Sequence, residues 1–240
     1  MNIPEKIKDR YSWFKLHSAC EETPGTALEI ISKDKEGLLS EITSKIHSFG
    51  GNLSFMQSWL EYDGKSHITL QIDNGKGEDS LIKSLEEIKE IESLKIIPTS
   101  RKTWGKRIII IGGGAQVASV ASGAIAEADR HNIRGETISV DTIAVVGELE
   151  IANTISAVGK LHRVGILVLA GALMGGKITE AVKNLRTDYG IPVIALNMAG
   201  SVTKACDLVV TDPIEAGVMA VMLISNIGKF NLLKIHGRKY

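Results

Sequence analysis

The pattern of apolar and polar positions divides the chain into two regions with different periodicities. Between residues 27 and 99, short segments in which apolar residues alternate with polar ones are separated by stretches with apolar residues three or four positions apart. Alternation is typical of half-buried strands, and spacings of three and four are typical of amphipathic helices. From residue 107 onwards the strand candidates are continuous apolar runs, as in strands that are buried on both faces of a parallel sheet.

The first region predicts the element order β-α-β-β-α-β. The predicted elements are, in order, residues 27–32, 37–49, 52–62, 65–73, 78–91 and 94–98. Gly50 and Gly51 end the first helix, and Asp63-Gly64 predicts a hairpin between the second and third strands. This order is the ferredoxin-like arrangement.

The second region alternates strands with helices. The predicted strands are residues 108–111, 137–140, 165–170, 192–196 and 208–210, and the predicted helices are residues 115–131, 148–162, 177–189, 201–206 and 214–227. Such alternation predicts a five-stranded parallel sheet with helices on both faces. The predicted fold is therefore α/β, with a ferredoxin-like domain followed by a doubly wound domain of flavodoxin-like strand order.

The same patterns suggest domain boundaries. Residues 1–22 form a modest amphipathic arm, residues 23–99 the ferredoxin-like domain, and the polar, basic residues 100–106 a linker. Residues 107–230 form the second domain, and residues 231–240 are a basic tail.

Composition narrows the classes of partner. The 240 residues contain 28 Lys+Arg and 28 Asp+Glu, so the net charge is zero and no global charge favours nucleic acid or an anionic membrane. The two cysteines, Cys20 and Cys206, form no disulfide framework and suit a reducing compartment. The N-terminus lacks the apolar segment of a secretory signal, and the uncharged stretches are shorter than the roughly 20 apolar residues that span a bilayer. We therefore expect a cytoplasmic protein without a nucleic-acid or membrane partner.

A short pattern follows the first predicted strand and begins the second. Its residues are Asp34, Gly37, Leu38 and Leu39, then Gly51, Asn52 and Leu53. Residues 27–99 thereby resemble an ACT domain, the small amino-acid-sensing module of metabolic enzymes and regulators, although Glu36 stands where that family usually has proline. The resemblance implies ligand binding at an interface between paired domains, and hence a homodimer or larger oligomer. Some ACT domains bind nothing.

A first candidate site follows from this turn. The positive end of the helix that begins near Gly37 favours the carboxylate of an amino acid. The candidate amino-acid-binding residues are Asp34, Glu36, Gly37, Leu38, Leu39, Gly51 and Asn52. The alternative is a solvated polar turn without a ligand.

A second candidate site comes from two glycine-rich turns, at residues 112–116 and 170–177. In the flavodoxin-like order, the strands before them are neighbours, and both turns flank one crevice at the point where the strand order reverses. Bare backbone N–H groups there suit a small anion. The candidate anion- or cofactor-binding residues are Gly112, Gly113, Gly114, Ala115, Gln116, Asp141, Gly171, Gly175, Gly176, Lys177, Thr179, Asn197 and Ser201.

The sequence does not identify the ligand of this crevice, and three alternatives remain. Gly112 and Gly114 match half of a dinucleotide-binding fingerprint, but Val117 stands where its third small residue belongs. Asp141 would then meet the ribose. The second half of the chain also resembles the sugar-isomerase type of α/β domain, without the serines that hold a sugar phosphate. A third reading is a tight turn that simply needs glycine.

No catalytic or metal motif is present. The six histidines are scattered, without the spacing of metal ligands. We therefore predict a regulatory, ligand-sensing protein of unspecified cofactor, in which the ACT-like domain binds an amino acid and the α/β domain binds an anionic effector. The pairing resembles uncharacterised archaeal proteins with an ACT region ahead of a Rossmann-like domain. The alternative is an ACT-regulated enzyme, either an NAD(P)-dependent oxidoreductase or a phosphosugar isomerase.

Overall fold

The computed structural model describes residues 25–73 and 78–228. These residues form two compact units that divide between Thr103 and Trp104. The arm and the basic tail that the sequence suggests, residues 1–22 and 231–240, lie outside the described residues.

The first unit is a four-stranded antiparallel sheet with two helices. Its elements are β1 (Thr26–Lys33), α1 (Leu38–Ser48), β2 (Asn52–Leu60), β3 (Lys65–Asp73), α2 (Glu78–Glu86) and β4 (Ile91–Ile97). The strand order is β2-β3-β1-β4, and every pair is antiparallel. The ferredoxin-like prediction is confirmed.

Alternation along the two central strands builds the core of this unit. Leu28 and Ile30 of β1 and Leu70 of β3 are fully buried, and they pack against Ile42 of α1 and Leu85 of α2. Each such side chain contributes about 1.5–3 kcal/mol when it leaves water. The apolar face of the sheet therefore holds both helices in place.

A short helix, α3 (Ser100–Trp104), occupies most of the linker that the sequence suggests. The Thr99 hydroxyl accepts the Lys102 N–H at 3.3 Å, and the Thr99 carbonyl accepts the Thr103 N–H at 3.0 Å. A threonine that bonds the next backbone donors is a helix cap. The cap stabilises the start of this short helix, although the segment lacks the apolar spacing that would predict a helix.

The second unit is a five-stranded parallel sheet with helices between its strands. Its elements are β5 (Lys106–Gly112), α4 (Gly114–Ile133), β6 (Ile138–Ala144), α5 (Glu148–Val158), β7 (Val164–Ala170), α6 (Lys177–Asp188), β8 (Val193–Leu196), a 3₁₀ turn (Val202–Ala205), β9 (Leu208–Val210) and α7 (Pro213–Ile224). The order is β6-β5-β7-β8-β9, with all pairs parallel. The flavodoxin-like order is confirmed.

Helices α4 and α7 cross at two glycines. A methyl group on Gly123 would lie 2.0 Å from the Ile214 carbonyl oxygen, and one on Gly217 would lie 2.1 Å from the Val120 carbonyl oxygen. The two backbones therefore touch, which requires glycine at both positions. This crossing determines where α4, and with it the glycine turn at its start, lies on the sheet.

Candidate functional site

The carboxyl ends of β5 and β7 lie side by side, with Gly112 opposite Ala170. The glycine turns after these two strands are therefore neighbours, as the switch-point argument requires. Gly112 itself is explained by packing. Its φ is +149°, and a methyl group there would lie 1.7 Å from the Ala170 carbonyl oxygen. The need for glycine in a tight turn therefore explains Gly112 without a ligand.

Gly113 and Gly114 are different, because nothing lies within 4 Å of where a side chain would begin. Helix α4 starts here without a capping side chain. The first helical hydrogen bond is from the Val117 N–H to the Gly113 carbonyl at 2.9 Å. The N–H groups of Gly114, Ala115 and Gln116 thus have no intrahelical acceptor, and the first turn of α4 carries no acidic residue. This geometry suits a small anion.

The start of α6 is already occupied by a carboxylate of the same chain. The Lys177 N–H donates to Glu148 Oε1 at 2.7 Å. A methyl group on Gly176, which has φ +52°, would lie 2.1 Å from the same oxygen. The expectation of a free anion site at Gly175, Gly176 and Lys177 is therefore wrong. Sequence patterns do not reveal Glu148 as a cap, because 29 residues separate it from its partner and no local pattern links them.

The loops after β7 and β8 are bonded to each other. The Ala199 N–H donates to the Ala172 carbonyl at 2.9 Å, and the Met174 N–H donates to the Ala199 carbonyl at 3.0 Å. Gly171 packs on Met174, whose terminal methyl would lie 2.7 Å from an added side chain. The Asn197 N–H donates to the Val210 carbonyl at 2.8 Å. Gly171 therefore has a packing role, and the Asn197 backbone continues the pairing of β8 with β9, while its exposed side chain at the crevice stays a prediction.

Thr179 and Ser201 satisfy each other, with 2.7 Å between their hydroxyl oxygens. A methyl group on Gly175 would lie 3.2 Å from the Ser201 hydroxyl. Thr179 is buried. Thr179 and Ser201 are thus each other's hydrogen-bond partners, while Ser201 is exposed and Gly175 half-buried, so their place at the border of the crevice stays a prediction.

Asp141 does not lie at the end of its strand. β6 continues to Ala144, and Asp141 is opposite Ile109, three residues before the carboxyl end. Its carboxylate forms an ion pair with Arg107. The expectation that Asp141 meets a ribose at the crevice is wrong, because the paired strand runs on past it.

The ACT-like turn has a second uncapped helix start. Gly37 has φ +83°, nothing lies within 4 Å of where its side chain would begin, and no side chain caps α1. Lys35 Nζ lies 2.6 Å from Glu90 Oε1. This hydrogen bond lowers the pKa of the Glu90 carboxyl and raises the pKa of the Lys35 ammonium. Leu38 is buried in the core, and Leu39 is exposed.

Asn52 lies at the other end of the same sheet. It is opposite Asp73, beside the start of β1, whereas the turn follows Lys33, which is opposite Lys65. Seven residues along β1 correspond to about 23 Å at roughly 3.3 Å per residue. Within one chain, the expectation that Asn52 lies beside Asp34, Glu36 and Gly37 is therefore wrong.

Gly51, which precedes Asn52, has a packing role. A methyl group there would lie 2.8 Å from Ile72 Cγ2 and 2.9 Å from Ile46 Cγ2. Glycine therefore lets the chain leave α1 close to the core.

Neither a metal-ligand cluster nor a membrane-spanning helix is found in the part of the chain that the structure describes. Among residues 25–73 and 78–228, no group of three or more His, Cys, Asp or Glu side chains is placed to hold a metal ion. Within the same ranges, no helix combines the length and the apolar character needed to cross a bilayer.

The two sheet orders define a protein with one ferredoxin-like and one flavodoxin-like α/β unit. Each unit contains a helix that starts without a capping side chain. The chain belongs to the family described as a domain of unknown function, DUF5612, whose profile matches residues 97–239. An uncharacterized protein of Methanocaldococcus jannaschii is 51% identical over 212 residues, which is 88% of this chain and 97% of that protein. An uncharacterized protein of Archaeoglobus fulgidus is 50% identical over 218 residues, which is 88% of this chain and 98% of that protein.

Solved structures resemble parts of the chain. The ACT domain from GTP pyrophosphokinase of Chlorobium tepidum covers 30% of this chain and 96% of its own, at 22% identity and a TM-score of 0.27. A formyltetrahydrofolate deformylase from Pseudomonas putida covers 61% of this chain and 60% of its own, at 10% identity and a TM-score of 0.29. At these TM-scores the fold rests on the strand order, not on the likeness.

Proposed function

We propose that this protein is a metabolite-sensing regulator that binds an amino acid in its first unit and a small anion in its second. One observation carries the proposal. Two helices, α1 and α4, begin at glycines that have nothing within 4 Å of where a side chain would begin and no capping side chain. Helix α5 also begins at an uncapped glycine, Gly147, but its first turn carries Glu148 and Glu150, which disfavour an anion. By contrast, Glu148 caps α6 and Asp212 caps α7, where it accepts the Glu215 N–H at 2.8 Å. An uncapped helix start is suited to a carboxylate or phosphate that comes from outside.

A second copy of the chain would complete the amino-acid site. β2 is an edge strand of nine residues without a charge, and Met56, Trp59 and Leu60 on it are 48%, 41% and 60% exposed. Long uncharged edges favour pairing with another strand. Antiparallel pairing of two β2 strands centred on Met56 would place Asn52 opposite Leu60 of the second copy. Asn52 would then lie about 14 Å, three strand spacings, from the end of the second copy's β1, where the ACT-like turn begins.

The resemblance to ACT domains supports the same arrangement, since it implies ligand binding between paired domains. In this proposal the ligand carboxylate lies at the α1 start beside Gly37, and the Asn52 amide of the other copy bonds the same ligand. Asp34, Glu36 and Leu39 would border it. The anion of the second unit lies on the N–H groups of Gly114, Ala115 and Gln116.

The enzyme alternative has less support. A dinucleotide needs an acid at its ribose, and Asp141 is engaged by Arg107. Glu148 repels a phosphate from the start of α6.

Thermal unfolding of the full chain with single ligands tests the proposal. We expect one amino acid to raise the melting temperature, because a ligand at 100 times its Kd adds about 2.7 kcal/mol to the stability. Inorganic phosphate should add a separate, independent shift. Asn52→Ala should abolish the amino-acid shift alone. Asn132→Ala, an exposed asparagine on α4, is the matched control.

A substitution at Gly113 tests the anion site of the second unit separately. Gly113→Val should abolish the phosphate shift and leave the amino-acid shift, because Gly113 has φ −70°, which valine adopts, and nothing nearby obstructs folding. Shifts only with NAD(P) or a sugar phosphate, lost in Gly113→Val, would favour the enzyme and refute the sensor. No shift with any ligand would refute both.

Light scattering tests the pairing. We expect a dimer that Met56→Lys converts to a monomer, because a charge at the centre of an edge opposes pairing. Ser40→Lys, on the exposed side of α1, is the control. A monomeric parent protein would refute a shared amino-acid site.

A further inference from the structure

A buried polar cluster joins the end of α4 to the segment that follows α7. His131 is 1% exposed. Its Nδ1 lies 2.9 Å from the Ser225 hydroxyl and 3.1 Å from Glu136 Oε2. The Ser225 hydroxyl donates to the same carboxylate at 2.5 Å, and the other Glu136 oxygen accepts the Asn226 N–H at 2.7 Å. This cluster takes no part in either candidate site.

Ser225 also holds the next two residues of the chain. Its hydroxyl oxygen accepts the N–H groups of Ile227 and Gly228, each at 3.0 Å. Surrounded by four partners, this hydroxyl is not available as a nucleophile. The cluster is therefore a tie between two parts of the fold, with the imidazole of His131 at its centre.

The other ring nitrogen faces a second carboxylate. His131 Nε2 is buried without a hydrogen-bond partner, and Glu127 Oε1 lies 3.5 Å away. A neutral ring with its proton on Nδ1 presents a lone pair to this carboxylate. A neutral ring with its proton on Nε2 instead presents the Nδ1 lone pair to Glu136 Oε2, 3.1 Å away, so either neutral form has one repulsive contact. A ring with both protons donates to Glu136 on one side and to Glu127 on the other. The geometry thus favours the charged ring.

We propose that His131 is a proton-controlled latch, whose charged form bridges Glu127 and Glu136 and holds residues 225–228 against the end of α4. The neutral form weakens this hold. The proposal is independent of the ligands considered above.

The charges around the ring come from three elements. Glu127 and its ion-pair partner Arg130 lie on α4, and Glu136 precedes β6. Lys106 of β5 binds the Ile224 carbonyl at 2.6 Å and the Asn226 side-chain oxygen at 2.7 Å. Both cations are bonded to oxygen atoms, and the two carboxylates face the ring nitrogens directly.

The direction of the pH effect follows from these charges. Burial raises the pKa of the Glu136 carboxyl, but hydrogen bonds from Ser225, the Asn226 N–H and His131 outweigh it, so the pKa lies below its ordinary value. Glu136 therefore remains ionised around neutral pH. Stabilisation by the charged ring is present at low pH and is lost as the ring loses a proton. Histidine ordinarily changes charge between about pH 5 and 8.

Hydrogen exchange of the full chain at pH 6 and pH 8, corrected for intrinsic exchange, tests the latch. We expect protection of the Asn226, Ile227 and Gly228 amides to fall about tenfold or more at pH 8, because one charge-assisted hydrogen bond is lost. Glu127→Gln should remove this pH dependence, since an amide can donate to a neutral ring. Arg130→Gln is the matched control. It leaves the Glu127 carboxylate in place and should retain the pH dependence.

Nitrogen chemical shifts of the His131 ring in the parent protein provide a second measurement that needs no variant. Both nitrogens should carry protons at the pH where residues 226–228 are protected, and one proton should be lost over the same pH range in which the protection falls. A ring that is neutral where residues 226–228 are protected, protection that is equal at both pH values, or a Glu127→Gln protein that keeps the parent pH dependence would each overturn the proposal.

Discussion

Replacing Gly217 by alanine should destabilise the second unit, because α4 and α7 meet there backbone to backbone. The added methyl group would lie 2.1 Å from the Val120 carbonyl oxygen and 2.5 Å from the Ala124 nitrogen. Real Cβ atoms essentially never approach other heavy atoms more closely than 3.0 Å. Both obstructing atoms belong to the backbone of a helix, so no side chain can rotate away. The two helices must separate by about 1 Å to admit the methyl group.

The size of the effect follows from two opposing terms. Forcing an extra carbon into a packed contact costs about 1–3 kcal/mol, and the upper part of that range applies where backbone must move. Alanine in a helix interior recovers about 0.8–1 kcal/mol relative to glycine. The net loss is about 2 kcal/mol, which corresponds to a fall of about 5–10 °C in the melting temperature of a unit of this size.

Circular dichroism during thermal and urea unfolding measures this loss. Gly114→Ala is the control, because Gly114 is the first residue of α4 and has nothing within 4 Å of where its side chain would begin. It should keep the parent stability or gain slightly. If Gly217→Ala were as stable as the parent protein, the helices could not cross at this distance, and the placement of the α4 start would need revision.

Three further predictions concern contacts of the second unit. Arg186→Ala leaves the buried Asp207 carboxylate, which also accepts the Val193 N–H at 2.9 Å, without its guanidinium partner. The loss should be about 3–5 kcal/mol by urea unfolding, and an unchanged midpoint would contradict a buried ion pair. Glu148→Ala should cost about 1 kcal/mol as a lost cap, and phosphate should then stabilise the variant more than the parent; equal phosphate effects would show that the start of α6 does not take anions. Burial raises the pKa of the Cys206 thiol to about 12, so in a Cys20→Ser background a thiol reagent at pH 8 should react only on unfolding, and rapid labelling of the native protein would contradict the burial.

Local pattern was sufficient for most of the fold. Residues 108–111, four isoleucines, are all fully buried in β5, as a continuous β-branched run between two sheet neighbours requires. The alternation of Leu28 and Ile30 placed β1 in a half-buried sheet. Glycines and caps marked the helix ends.

Local sequence pattern did not predict the position or contacts of residues whose partners are distant in the sequence. The polar residue Asp141 suggested the end of a strand, but pairing with β5 carries β6 on to Ala144. Glu148 showed no sign of capping α6, because its partner is remote in sequence. Asn52 and the ACT-like turn looked adjacent in the motif, but the directions of β1 and β2 place them at opposite ends of the sheet.

The amino-acid sequence by itself determined the two kinds of sheet, the order of elements and the glycine turns, because burial period and turn chemistry act over a few neighbouring residues. Only the tertiary structure decided which of those turns is open. No side chain from another described element caps the start of α4, and nothing described lies within 4 Å of where a side chain on Gly113 or Gly114 would begin, whereas the start of α6 is closed because a carboxylate from another helix reaches it. Such contacts depend on how separate elements pack, and packing joins residues that no local pattern relates.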